Sequence, residues 1–167
     1  MYYKITEKDI KRMQEEIEHR ITVVRKKAIQ DLQEAREHGD LSENFEYKAA
    51  KQFKNQNESR IRYLEKLIKT ATIISEESKE DEVGVNTMVT IYIPEDDVEE
   101  SYKIVTTVRA NSLKSLISID SPLGKALLHH KVGDQVSVTV SDTYSYDVII
   151  RKIDKVEDDG TDQLRKY

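Results

Sequence analysis

Residues 1–38 and 40–83 contain neither glycine nor proline, and one glycine, Gly39, stands between the two stretches. Those two residues are the strongest helix breakers, so both stretches read as long helices. The first opens on Ile5-Thr6-Glu7-Lys8-Asp9-Ile10, where Thr6 can cap the free amides, Asp9 can answer it three positions on, and Ile5 can staple to Ile10. Apolar residues then recur at Ile10, Met13, Ile17, Ile21, Val24, Ala28, Leu32 and Ala35, in steps of three and four that draw one continuous stripe. Ala50, Phe53, Asn57, Ile61, Leu64, Ile68 and Ala71 repeat the pattern in the second stretch. Only His38-Gly39-Asp40-Leu41-Ser42 separates them, and so short a link forces neighbouring helices to run antiparallel. The prediction is a two-stranded coiled-coil hairpin over residues 1–79 with its bend near Asp40. The 11-residue spacing Ile10, Ile21, Leu32 predicts a nearly straight or slightly right-handed twist. Asn57 falls in the seam, where a polar residue fixes register. At about 1.5 Å per residue such an arm reaches ~48 Å, so its tip lacks tertiary support and is displayed to something outside the protein.

After Gly84 the period changes to two. Thr87–Ile93 and Tyr102–Val108 read as strands around Pro94-Glu95-Asp96-Asp97, and a third follows at 116–119. Ser121-Pro122 opens a short helix through Leu128, and 135–140 and 144–153 close an antiparallel sheet. The fold class is α+β, with 80–85 as linker, 86–156 as the sheet domain and 157–167 as a polar, frayed tail. Charge divides the same way: residues 1–79 hold 17 Lys+Arg against 15 Asp+Glu, and residues 80–167 hold 10 against 17, so net charges of +2 and -7 sum to the -5 of the chain. That total speaks against a general nucleic-acid coat. With no cysteine there is no disulfide framework, thiol nucleophile or thiolate metal site. No apolar run approaches the ~18 to 20 residues that cross a bilayer, which predicts a cytoplasmic protein without membrane contact.

Asp40 and Glu43 lie three apart at the bend, with Gly39 ending one helix and Glu46 a turn further on. Two readings fit. An Asp-x-x-Glu pair at a helix start is a capping box in which each carboxylate accepts a backbone amide. Two close carboxylates at an exposed tip are also what a hard cation such as Mg²⁺ takes from a protein, with waters and phosphate oxygens completing its shell. Two carboxylates alone hold it weakly, so a second body must share the ion.

The run from Ala35 to Lys51, Ala-Arg-Glu-His-Gly-Asp-Leu-Ser-Glu-Asn-Phe-Glu-Tyr-Lys-Ala-Ala-Lys, resembles the tip signature of the Gre family of bacterial transcript-cleavage factors, nearest its GreA branch. The block Ile117-Ser-Ile-Asp-Ser-Pro-Leu-Gly-Lys-Ala-Leu-Leu128, followed by Val132-Gly133-Asp134, is similar to that family's C-terminal motif. The resemblance implies an FKBP-like C-terminal domain that docks on bacterial RNA polymerase through Asp120, Ser121 and Pro122. It implies a hairpin that enters the secondary channel as a monomer and reaches the backtracked RNA 3′ end. Asp40 and Glu43 then help hold a Mg²⁺ shared with the polymerase active site. Arg36 and Lys51 flank the tip on both arms, where two readings stay open: contact with extruded RNA phosphates, or solvated helix-face charge. The chain would not be an enzyme by itself but would activate the polymerase's own endonuclease. Three departures stand out: Phe45 where the family usually has alanine, Val108-Arg109-Ala110-Asn111-Ser112 in place of an acidic Glu-Ala-Asp, and a longer tail beyond Lys155.

His129 and His130 read as helix C-terminal residues, with no carboxylate at ligand spacing, and His38 can do the same for the first helix. No nucleophile elbow or phosphate-binding glycine loop occurs. Two rivals remain: a Gre-like inhibitor that fills the channel without supporting cleavage, and an FKBP-like isomerase or chaperone. The latter needs an aromatic pocket, for which the second half offers Tyr92, Tyr102, Tyr144 and Tyr146 but no Trp or Phe.

Overall fold

The computed structural model describes residues 3–40 and 43–166. The chain divides into two units, residues 10–71 and residues 3–9 together with 72 onward.

The first unit is the hairpin. Helix α1 (Glu7–His19), a π-turn (Arg20–Val24) and α2 (Arg25–Glu37) make one arm, and α3 (Phe45–Thr70) makes the other. Met13, Ala28, Leu32 and Ala35 are buried on the first arm and Ile61 and Leu64 on the second, as the stripes require, while Leu67, outside the expected stripe, is buried and Ile68 within it is only half-buried. Phe53 departs from the expected seam and is 50% exposed.

The π-turn is the other departure, since the stripe predicted an uninterrupted α-helix. It falls on Ile21-Thr22-Val23-Val24, a β-branched run whose crowding weakens the α-helical preference. The Arg25 amide bonds back to the Arg20 carbonyl, five residues away. That same carbonyl accepts from Asn57 Nδ2 at 3.2 Å, while Arg20 Nη1 donates to Asn57 Oδ1 at 3.0 Å. Buried Asn57 is therefore satisfied from the opposite arm, and sliding the arms by one turn would cost it both bonds. Glu16 extends the lock, accepting from Arg20 Nε at 2.8 Å and Arg60 Nε at 2.9 Å. Burial pushes the Glu16 carboxyl up, but the bonds and charges of Arg60 and Arg20 together hold it below the ordinary carboxylate value.

The second unit is built on a five-stranded sheet of β3 (Thr87–Ile93), β4 (Val98–Val105), β5 (Leu116–Ser118), β6 (Gln135–Ser141) and β7 (Tyr144–Lys155), ordered β5-β4-β3-β7-β6. Every pairing is antiparallel except β4 with β5, which is parallel because two 3₁₀ turns carry the chain back between them. Alternate residues Val89, Ile91, Ile104, Val138, Val148 and Ile150 point into one core with Val83 and Leu127. Helix α4 (Pro122–Leu127) covers β6. Ser121 caps it by accepting from the Gly124 amide at 3.0 Å. A Cβ on Gly124 would lie 2.0 Å from the Ser118 carbonyl oxygen, so only glycine lets α4 approach β5 this closely.

Three expectations are corrected here. A parallel pair, β1 (Lys4–Ile5) with β2 (Thr72–Ile73), places residues 3–9 and the chain after Ala71 with the sheet, so the hairpin unit ends at 71 and not at 79. The histidine pair lies beyond the end of α4, with His129 at φ 67°. His130 Nδ1 is 3.2 Å from Asp134 Oδ2, and His129 Nδ1 is 3.8 Å from Glu82 Oε2, so both have carboxylate neighbours after all.

The third correction concerns the tail, which is pinned instead of frayed. Arg109 is fully buried; its Nε is 2.9 Å from Asp9 Oδ1, and its Nη1 is 3.6 Å from Asp158 Oδ2 and 3.1 Å from Asp162 Oδ2. Nη1 also donates to Asn86 Oδ1 at 2.9 Å. Lys103 reaches Asp162 at 3.1 Å, and the Arg165 amide donates to the Val108 carbonyl. A buried guanidinium requires anionic partners, and the tail supplies two of its three carboxylates.

Candidate functional site

At the tip, α2 stops at Glu37 and α3 starts at Phe45. Gly39 sits at φ 137°, a backbone conformation that side-chain-bearing residues rarely adopt, with open space around its Cα. Among the described residues nothing beyond its chain neighbours lies within 4 Å of where its Cβ would stand.

The N-cap of α3 is Asn44, whose Oδ1 accepts from the Tyr47 amide at 3.0 Å. Its Nδ2 donates to the Ala35 carbonyl at 2.6 Å. One amide side chain thus satisfies an orphan donor of α3 and a carbonyl near the end of α2, which ties the two helix ends together. The capping-box reading of Asp40 and Glu43 is overturned: both precede the cap, and neither is the residue that starts the helix. Both are exposed. Leu41 and Ser42 lie outside the described residues.

A second clasp stands beside Asn44. His38 Nδ1 lies 2.9 Å from Glu46 Oε2. The hydrogen bond to Glu46, and then its charge, raise the imidazole pKa above the ordinary histidine value. A raised folded-state pKa means the pair contributes in full below the unfolded value near ~6.5, and the contribution is lost as pH rises through the higher folded value. By NMR the His38 ring is expected to titrate with a midpoint above that of an exposed histidine, and Glu46→Gln to return the midpoint toward the ordinary histidine value. An unchanged midpoint in that variant means the pair does not form in solution.

Arg36 lies with its guanidinium 5.7 Å from the centre of the Tyr47 ring, which holds a cation at the end of α2. Lys51 is exposed one turn beyond Tyr47. Phe45 is 80% exposed, with Lys48 Nζ 5.5 Å from its ring centre. The tip therefore gathers carboxylates at its apex with cations and two aromatic rings, Phe45 and Tyr47, on its flanks. Among the described residues no group of three or more His, Asp or Glu could hold a metal ion. The donor set matches a cation that takes one or two carboxylates from this chain and the rest of its shell elsewhere.

The expected docking residues lie in the sheet unit. Asp120 is exposed and accepts from Thr107 Oγ1 at 2.7 Å, which in turn meets Ser118 Oγ at 2.7 Å. Ser121 and Pro122 line a groove of about 750 Å³ that Asp120 does not line. Sequence reasoning missed Asn44, although Asn followed by a helix is an N-cap signal, and missed Arg109, whose partners no spacing could reveal.

Residues 3–73 match the family model described as transcription elongation factor, N-terminal, and residues 77–155 match transcription elongation factor, GreA/GreB, C-term. The chain belongs to the GreA/GreB family of transcription elongation factors. It is 42% identical over 137 residues to the transcription elongation factor GreA of Thermoanaerobacter pseudethanolicus, covering 81% of this chain and 87% of that protein. It is 37% identical over 145 residues to GreA of Mesomycoplasma hyopneumoniae, covering 87% and 91%. Among solved structures, the GreA factor homolog 1 (Gfh1) of Thermus thermophilus is 31% identical, covering 92% of this chain and 99% of that one, with a TM-score of 0.42. No helix among the described residues is long and apolar enough to cross a membrane.

Proposed function

We propose that this elongation factor docks on bacterial RNA polymerase through its sheet unit and passes the hairpin tip through the secondary channel. There it stimulates Mg²⁺-dependent cleavage of backtracked RNA, which frees an arrested complex. The observation that carries the reading is the identity of the cap: Asn44 starts α3, so helix capping does not account for the two carboxylates ahead of it. The chain lends acidic groups to an activity that resides in the polymerase and is not an enzyme alone. When bound, the shared Mg²⁺ supplies Lewis-acid activation of water and charge compensation at the phosphodiester. Asp40 and Glu43 would hold it, and their carboxylates also accept hydrogen bonds from the attacking water and so orient it. Arg36 and Lys51 attract the phosphates of the extruded strand from opposite arms.

The test is a stalled, backtracked elongation complex given Mg²⁺ with and without the factor. The expected result is faster release of a 3′-terminal RNA fragment and resumed extension. A factor that binds yet leaves the cleavage rate at the polymerase's intrinsic value contradicts the reading and marks a channel-filling inhibitor.

Docking has its own variant. Asp120→Lys raises the factor concentration needed for half-maximal cleavage and leaves the rate at saturation in place, since the tip is untouched. A dose curve that does not move places the docking surface elsewhere.

A further inference from the structure

The family match ends at residue 155, and the chain continues for a further dozen residues to Tyr167. We propose that residues 158–166 form a strap that builds one wall of the polymerase-docking groove, so that the tail itself is a determinant of polymerase affinity. The inference rests on the docking reading above and adds to it a contact surface that lies beyond the family match.

The groove runs between α4 and the tail. Leu123 and Val140 line it from the folded sheet unit, Leu113 projects into it with 95% of its surface exposed, and Leu164, Arg165 and Lys166 line it from the strap. At about 750 Å³ the groove stays open with the strap in place, so the strap is a wall of the groove and does not fill it. Its position is fixed from below: Asp158 and Asp162 pair with buried Arg109, Asp162 also with Lys103, and the Arg165 amide bonds to the Val108 carbonyl. Buried Arg109 needs carboxylates, and the tail that supplies Asp158 and Asp162 brings a new surface with them.

The surface has a definite chemistry. Residues 80–167 carry a net charge of -7, yet the strap brings exposed Lys166 to the groove beside its apolar lining. The occupant that fits is a segment of the polymerase with an apolar face for Leu113, Leu123, Val140 and Leu164 and with a carboxylate on the flank that meets Lys166.

The experiment measures the dissociation constant of the full-length factor for core RNA polymerase across a range of salt. Two variants are compared with the wild type: a chain ending at Val156, and Leu164→Ser combined with Lys166→Glu. The second leaves Asp158, Asp162 and Arg109 in place, so its fold is retained even if truncation unfolds the unit, and a melting curve verifies this. Both variants are expected to bind about tenfold more weakly, and the substituted one with a shallower salt dependence. Unchanged affinity in the folded double variant overturns the strap and leaves docking intact. Tighter binding also overturns it, because the tail would then be a competitor for the groove. A wild-type chain that does not bind core polymerase overturns the docking reading and the strap with it.

Discussion

Asp40→Asn is expected to slow cleavage of backtracked RNA on the order of 10³-fold while the melting temperature of the factor moves by no more than about 2 °C. The two halves of that result come from different parts of the tip. Asparagine preserves the shape of the side chain and is nearly as good a cap as aspartate, and the cap of α3 is in any case Asn44. On the proposed reading, removing one anionic oxygen from the shared cation would withdraw stabilisation that exists only in the cleaving complex, of about 4 kcal/mol for the stated rate. A cap at an exposed tip contributes ~1 kcal/mol and cannot produce such a loss. Glu43→Gln is expected to behave likewise, and the double variant to be little worse than either single one, because on that reading both residues serve one ion. Polymerase binding, measured alongside, is expected to persist in all three, because on the proposed reading the sheet unit carries it.

The second large effect is on stability. Arg109→Met removes the fully buried cation and leaves Asp9, Asp158 and Asp162 converging on an apolar side chain. Breaking a buried pair by deleting one partner costs about 3–5 kcal/mol, because the other charges stay behind unneutralised. For a unit of this size the midpoint of thermal unfolding falls by roughly 15 °C. Limited proteolysis reports the same change locally, since cleavage sites after Lys155 open once the tail is no longer held. A variant that melts within about 3 °C of the wild type, with its tail still protected, shows that the ion cluster does not form.

The sequence carried the hairpin plainly. Long breaker-free runs around one glycine, with apolar residues at steps of three and four, leave few other folds open, and the Thr6–Asp9 capping box forms as the spacing predicts, at 3.1 and 3.2 Å. The π-turn was less legible, although its local signal, four consecutive residues of which three are β-branched aliphatics and one is threonine, was in view. What decides it is a partner 37 residues away, Asn57, which takes the carbonyl of Arg20. The cap at the tip was misassigned for a related reason. Asp40, Ser42 and Asn44 are all good N-cap residues, and only the reach of Asn44 back to the Ala35 carbonyl selects among them. Polar composition made the tail read as frayed, because its carboxylates look like solvated charge until Arg109 and Lys103 are brought beneath them. In each case local pattern supplied the element, and the long-range polar contact that fixes its details was beyond the reach of spacing.

The most direct measurement is the rate of RNA cleavage in a backtracked complex against Mg²⁺ concentration, for polymerase alone, with saturating wild-type factor, and with saturating Asp40→Asn. If Asp40 helps hold the ion, the wild-type factor shifts half-saturation to lower Mg²⁺, and Asp40→Asn returns the curve most of the way to that of polymerase alone. Superimposable curves for wild type and Asp40→Asn, at equal rate, contradict a metal role for the tip.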